Sequence, residues 1–238
     1  MTTAFIADLH LTPERPASTR LFEEFLTNAT GLLERLYILG DLFEYWVGDD
    51  GGEPLGHGAV EAAIRKTAEA GTEIFFMHGN RDFLVGEAFA RRTGCKLLPD
   101  PVVVTLDGRD FLLTHGDGLC TDDIEHQRSR RQMLSAKWKM AFLEKPLERR
   151  MDTAQLMRRQ SEAAKQKKRK AIMDVNQSAV EALMRHHGVD TLIHGHTHLP
   201  AVHQFQLDQK PAWRYVLGDW YEQRSALYYQ RGKLALKK

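Results

Sequence analysis

Five apolar runs in this chain end on residue types that bind metal ions. They finish in Asp8-Leu9-His10, Gly40-Asp41, Gly79-Asn80-Arg81-Asp82, His115-Gly116-Asp117 and Gly195-His196-Thr197-His198. Each stands where a strand would leave a sheet, the usual position of ligand-binding loops. Glycine beside four of them lets the backbone turn sharply or approach a ligand closely. Taken singly, a strand end of this kind is more often a turn. Five in one chain point to a shared site.

The residue types suit two divalent ions. Ions about 3.5–4 Å apart need a bridging ligand, and a carboxylate can bridge because it has two acceptor oxygens. Asp41 is the candidate bridge. Asp8 and His10 are separated by one residue, so both can face one ion. Asn80 and His115 offer neutral ligands to the other, which limits negative charge so that a phosphate can still bind. Imidazole, carboxylate and amide without thiolate suit manganese, iron or zinc better than calcium.

Elements that would position these residues can be read from the pattern. Thr3–Ala7, Tyr37–Leu39 and Glu73–Met77 read as buried strands. Leu21–Leu36, Val60–Ala70 and Leu84–Arg92 carry apolar residues at helical spacing, so the first hundred residues alternate strand and helix. Val102–Leu106 and Arg109–Thr114 flank Asp107-Gly108, a hairpin with a tight turn. Thr191–His194, Ala201–Phe205, Arg214–Leu217 and Ala226–Tyr229 supply further strands. Between His115 and Thr191 no strand signal appears. Residues 124–170 read as a helical insertion that Pro146 divides, followed by a core helix over Ala171–His187.

The chain has 238 residues, 42% hydrophobic, enough for one globular domain over 1–238 with an elaboration. Lys plus Arg (33) balances Asp plus Glu (32), so no nucleic acid is expected as a partner. The balance is uneven along the chain: within 124–170 basic residues outnumber acidic ones fifteen to five. A basic element of this kind suits an anionic partner. Cys95 and Cys120 are too few for a disulfide framework and read as inert packing residues in a reducing compartment. A charge at Asp8 is too early for a secretory signal. No window approaches the roughly 18 apolar residues of a membrane span, so a soluble cytoplasmic protein is expected. His194 reads as a packed or hydrogen-bonded histidine, and His57, His126, His186, His187 and His203 as structural or surface residues.

The five strand ends together resemble the calcineurin-like metallophosphoesterase superfamily. That resemblance implies a four-layer α/β/β/α sandwich with a dinuclear centre. It places Asp8, His10, Asp41 and His198 on the first metal and Asp41, Asn80, His115 and His196 on the second. Arg81 stands where the broader pattern has histidine. An arginine cannot relay a proton near neutral pH, but its fork can hold phosphate oxygens, so charge stabilisation is expected there.

Longer strings narrow the match. Phe5-Ile-Ala-Asp-Leu-His-Leu, Tyr37-Ile-Leu-Gly-Asp-Leu-Phe-Glu, His78-Gly-Asn-Arg-Asp-Phe-Leu, His115-Gly-Asp-Gly-Leu-Cys-Thr-Asp-Asp, Ala171-Ile-Met-Asp-Val-Asn-Gln and His194-Gly-His-Thr-His-Leu-Pro-Ala are similar to the UDP-2,3-diacylglucosamine diphosphatase family of the lipid A pathway. The similarity implies two Mn²⁺ ions and water attack on the α-phosphorus of the pyrophosphate, giving UMP and 2,3-diacylglucosamine 1-phosphate. Asn80, Arg81 and His196 would act at the reacting phosphate. Asn80, Arg81, Asp123, Ser161, Lys165, Lys168 and His196 would contact substrate, with Lys165 standing where a smaller polar residue is expected. Residues 124–170 would form a cap over the site, with Trp138, Met140, Phe142 and Leu143 lining an acyl chamber. Peripheral attachment to the anionic inner-membrane surface is the remaining expectation.

Overall fold

The computed structural model describes residues 2–167, 174–221 and 223–237. Two sheets face each other. The first has the order β11-β10-β1-β2-β3-β4, built from β1 (Thr2–Ile6), β2 (Arg35–Leu39), β3 (Glu73–Met77), β4 (Lys96–Leu98), β10 (Ala226–Gln230) and β11 (Lys233–Lys237). The second has the order β5-β6-β7-β9-β8, built from β5 (Val102–Leu106), β6 (Arg109–Thr114), β7 (Thr191–His194), β8 (Ala201–Leu207) and β9 (Lys210–Val216). Strands β1, β2, β3 and β4 are parallel, as are β6, β7 and β9.

Side chains alternate across each strand, and in the central strands β1, β2 and β7 both faces are buried. From β1, Phe5 points between the sheets with Tyr37, Met77, Phe111, Ile193 and Tyr229. Its neighbours Ala4 and Ile6 point the other way, onto α1 (Pro16–Ala29), α2 (Gly58–Glu69) and α3 (Glu87–Thr93) through Phe22, Phe25, Ile64 and Phe89. On the far side Leu112 and Leu192 pack against Val180 and Met184 of α7 (Gln177–His187). The result is the expected four-layer α/β/β/α sandwich.

Helices α4 (Ile124–Leu134), α5 (Ala136–Leu143) and α6 (Leu147–Lys167) fill the insertion. Asp123 caps α4 by accepting from His126 N at 3.1 Å, and Ser135 caps α5 by accepting from Trp138 N at 3.3 Å. Pro146 separates α5 from α6 as expected. One anchor of α6 was not legible as such. Arg150, inside the basic run, is 4% exposed; it donates to Val47 O at 2.5 Å and Lys145 O at 3.0 Å and forks onto Asp50.

Two expectations need correction. The helical pattern over Leu21–Leu36 stops at Ala29, because Thr30 turns extended (ψ 125°) and Gly31 at φ +76° completes the turn away from the helix. Leu32 is therefore exposed and Leu36 belongs to β2. The strands β4 and β11 carry no signal strong enough to read; β4 has three residues and β11 is five residues at a sheet edge with lysine at both ends. The helix expected over Ala171–His187 begins only at Gln177, where the extended Asn176 caps it by accepting from Ala179 N at 3.1 Å, and residues 171–173 lie outside the described residues. The hairpin at Asp107-Gly108 is as expected, with both residues at positive φ.

Candidate dinuclear metal centre

All seven expected ligands come together where β1, β2, β3, β6 and β7 end. Asp8, His10 and His198 form one group; Asp41, His115 and His196 form the other, with ligand atoms inside each within 4.8 Å of one another. Asp41 lies between them, its Oδ2 3.8 Å from His10 Nε2 and its Oδ1 3.7 Å from His115 Nε2. A carboxylate with one oxygen toward each group is placed to bridge. Asn80 Oδ1 lies 3.2 Å from His115 Nε2 and completes the second group.

Backbone conformation aims these side chains. Asp8, His10, Asp41, His196 and His198 all adopt positive φ, between 49° and 67°. For residues other than glycine this costs about 1–3 kcal/mol each and persists only where surroundings enforce it. Neighbouring glycines make room. A Cβ on Gly195 would lie 2.4 Å from Asp8 Oδ2, and one on Gly40 would lie 2.6 Å from the Gly79 backbone.

Ring orientation is fixed from behind. His115 Nδ1 lies 2.9 Å from Leu39 O, which leaves Nε2 toward the site. His198 Nδ1 lies 3.3 Å from Asp219 Oδ2. Asp8 Oδ2 accepts from His196 N at 2.8 Å, while its buried Oδ1 accepts no hydrogen bond. The electrostatics match. Burial disfavours a charged His115, yet Asp41, Asp117 and Asp8 outweigh it and raise its pKa to about 9. Burial likewise opposes charge on His198, and Asp8 and Asp219 carry it to about 10. The carboxylates of the pocket thus favour positive charge at both ligand groups. Four imidazoles, two carboxylates, an amide oxygen and an unused buried oxygen fit a pair of divalent cations.

The calcineurin-like phosphoesterase model matches residues 1–200. A UDP-2,3-diacylglucosamine hydrolase of Aromatoleum aromaticum is 51% identical over 222 residues, covering 93% of this chain and 90% of that one. One of Chromohalobacter salexigens is 50% identical, covering 92% and 89%, and one of Aeromonas salmonicida 48% identical, covering 100% and 93%. The chain belongs to the calcineurin-like phosphoesterase family.

Around the site stand further residues to which the sequence pattern assigns no role. Asp82 is fully buried and accepts from the backbone N–H of Gly79, Leu42 and Asp41 at 2.8, 2.7 and 3.2 Å. It braces the loops that carry Asp41 and Asn80. Asp219 follows Gly218 after β9, the same Gly-Asp strand-end signal as Gly40-Asp41. His126, read as structural or surface, stacks on His196 with ring centroids 5.4 Å apart; nothing local in the sequence marks it. His194 is buried as expected, its Nδ1 2.9 Å from Gly195 O, and burial pushes it down to about 4. Burial also pushes the Cys120 thiol up to about 12, so it stays unreactive.

The centre opens into a cavity of about 500 Å³. Arg81, Asn80, Asp123, Ser161 and His196 line it, together with Trp138, Phe142 and Met157 from α5 and α6. Met140 and Leu143, also expected to line an acyl chamber, are exposed instead. The Lys165 side chain and all of Lys168 lie outside the described residues. No described helix is long and apolar enough to cross a membrane.

Proposed function

We propose that the protein hydrolyses the pyrophosphate of UDP-2,3-diacylglucosamine to UMP and 2,3-diacylglucosamine 1-phosphate, with water attacking the α-phosphorus. The supporting observation is the composition of one cavity: candidate metal-ligand groups and Met133, Leu134, Trp138, Phe142 and Met157 line the same space. A diphosphate carrying two acyl chains needs both. The names of the relatives point to the same substrate.

Asp8, His10, Asp41 and His198 would hold one Mn²⁺, and Asp41, Asn80, His115 and His196 the second. Such ions lower the pKa of bound water and neutralise charge on phosphoryl oxygens. Arg81 presents its guanidinium fork to the transferring phosphate and stabilises charge as it grows there. Asn80 and His196, in the same cavity, would orient that phosphate. The bond from the α-phosphorus to the bridging oxygen breaks, and that oxygen leaves with the sugar 1-phosphate. Asp123 and Ser161 are suited to the polar head; Lys165 and Lys168 join them on the family resemblance alone.

Helices α4 to α6 act in this reading as a cap whose apolar inner wall shelters the acyl chains. The basic surplus over 124–170 suits an anionic membrane surface, worth about 1 kcal/mol per well-placed cation. Peripheral attachment at the cytoplasmic face would bring the enzyme to its lipid.

Hydrolysis of UDP-2,3-diacylglucosamine with Mn²⁺, beside bis-p-nitrophenyl phosphate and UDP-N-acetylglucosamine, tests the proposal. Rapid UMP release from the acylated substrate alone is expected. Activity on the generic diester without the lipid would overturn the substrate and keep the centre.

A further inference from the structure

Glu44 sits three residues beyond Asp41 and is 7% exposed, with two arginines on its carboxylate. Arg158 of α6, on the cavity wall, donates through Nε to Oε1. Arg15 donates through Nη2 to Oε2. The same Nη2 also donates to the carbonyl of His10 at 2.8 Å. The Arg15 guanidinium lies 4.4 Å from the centroid of Tyr221, whose ring stacks on His10 at 5.6 Å. The Glu44 backbone is held as well, its N–H donating to Leu11 O at 3.0 Å.

A shared buried carboxylate makes two charge-assisted hydrogen bonds, and each arginine loses its anchor if the charge is removed. One end of this chain of contacts is the wall of the cavity; the other is the backbone of a metal ligand. His10 needs such support because its φ of 49° is unfavourable for a side chain that must keep one orientation.

We infer that Glu44 is a positioning residue that joins the substrate wall to the first metal group, holding Arg158 in the cavity with one oxygen and, through Arg15, the backbone of His10 with the other. The Arg158 limb rests on the lipid-substrate reading; the His10 limb does not. Removing the charge while keeping the shape should therefore move two observables that have no contact with Glu44.

The test uses Glu44→Gln, Arg15→Met and Arg158→Met in the full chain, with Mn²⁺ affinity from the EPR signal of the free ion and KM for the acylated substrate and for bis-p-nitrophenyl phosphate. In Glu44→Gln, Mn²⁺ affinity should fall about 10-fold, the lower end for residues that support a ligand. KM for the lipid should rise by a similar factor, with little change for the small diester. Arg15→Met should reproduce the Mn²⁺ loss alone and Arg158→Met the KM rise alone. Wild-type Mn²⁺ affinity and KM in Glu44→Gln would overturn the inference. So would equal losses on both substrates that track a lowered melting temperature in all three variants. If the wild type fails on the lipid, the substrate reading is lost together with the Arg158 limb, and the Mn²⁺ readout still decides the His10 limb.

Discussion

Replacing Arg150 by methionine removes a charge from the interior while leaving an apolar stem of similar length. Two carbonyls lose a charged donor, Val47 O at 2.5 Å and Lys145 O at 3.0 Å. Hydrogen bonds to charged groups contribute about 1.5 kcal/mol each at the low end, giving about 3 kcal/mol for the pair. The Asp50 side chain is 60% exposed, so its ion pair is screened and adds less than about 1 kcal/mol. The expected loss is about 3–4 kcal/mol, a large share of the 5–15 kcal/mol typical of a domain. Urea unfolding at pH 7.5 measures it, and hydrogen exchange should quicken in α6 before it quickens in β1 to β3. Arg150→Lys should recover less than half, because one ammonium cannot fork onto Asp50 and reach both carbonyls. A loss below about 1 kcal/mol in Arg150→Met would refute this account of how α6 is anchored.

Arg81→Ala should lower kcat by about 10²–10³ with Mn²⁺ binding retained, and Arg81→Lys should recover only part of it; steady-state kinetics beside a metal titration checks both. Gly195→Ala forces a Cβ to within 2.4 Å of Asp8 Oδ2, so Mn²⁺ affinity should drop at least 10-fold, read by the same titration. His57 is buried against Phe43 and Trp46, and burial lowers its pKa from 6.5 to about 4. It is neutral in both states above pH 6.5, and the unfolded chain takes up the proton first as pH falls. Stability is therefore lost between about pH 6.5 and 4, by about 3 kcal/mol in total. His57→Phe should flatten that part of the unfolding profile, and an unchanged acid slope would count against it.

The seven candidate ligands were legible because each combines a ligand residue type with a local mark, a strand end and in most cases a glycine. The hairpin at Asp107-Gly108 was legible for the same local reason. Residues whose role depends on distant partners were not. Arg150 reads as one more cation in a charged run, yet it is buried because Val47 and Asp50, about a hundred positions away, face it. His126 gains its place only when α4 brings its ring onto His196. Glu44 looks like an ordinary loop carboxylate until Arg15 and Arg158 meet on it. Leu21–Leu36 misled because leucine at helical spacing continues past Gly31, where the backbone does not.

Neither metal group is contained in one sheet. Asp8 and His10 follow β1 in the first sheet, and His198 follows β7 in the second; Asp41 follows β2, while His115 and His196 follow β6 and β7. The first sheet also waits on a late strand, since Thr3 pairs with Tyr229 of β10. During synthesis, Asp8 and His10 therefore emerge long before their partner His198 exists, and the strand beside them comes later still. A metal centre built from these groups would be completed late in the life of each molecule, and a chain stalled short of β10 carries all seven candidate ligands without the neighbour that lines up the first two.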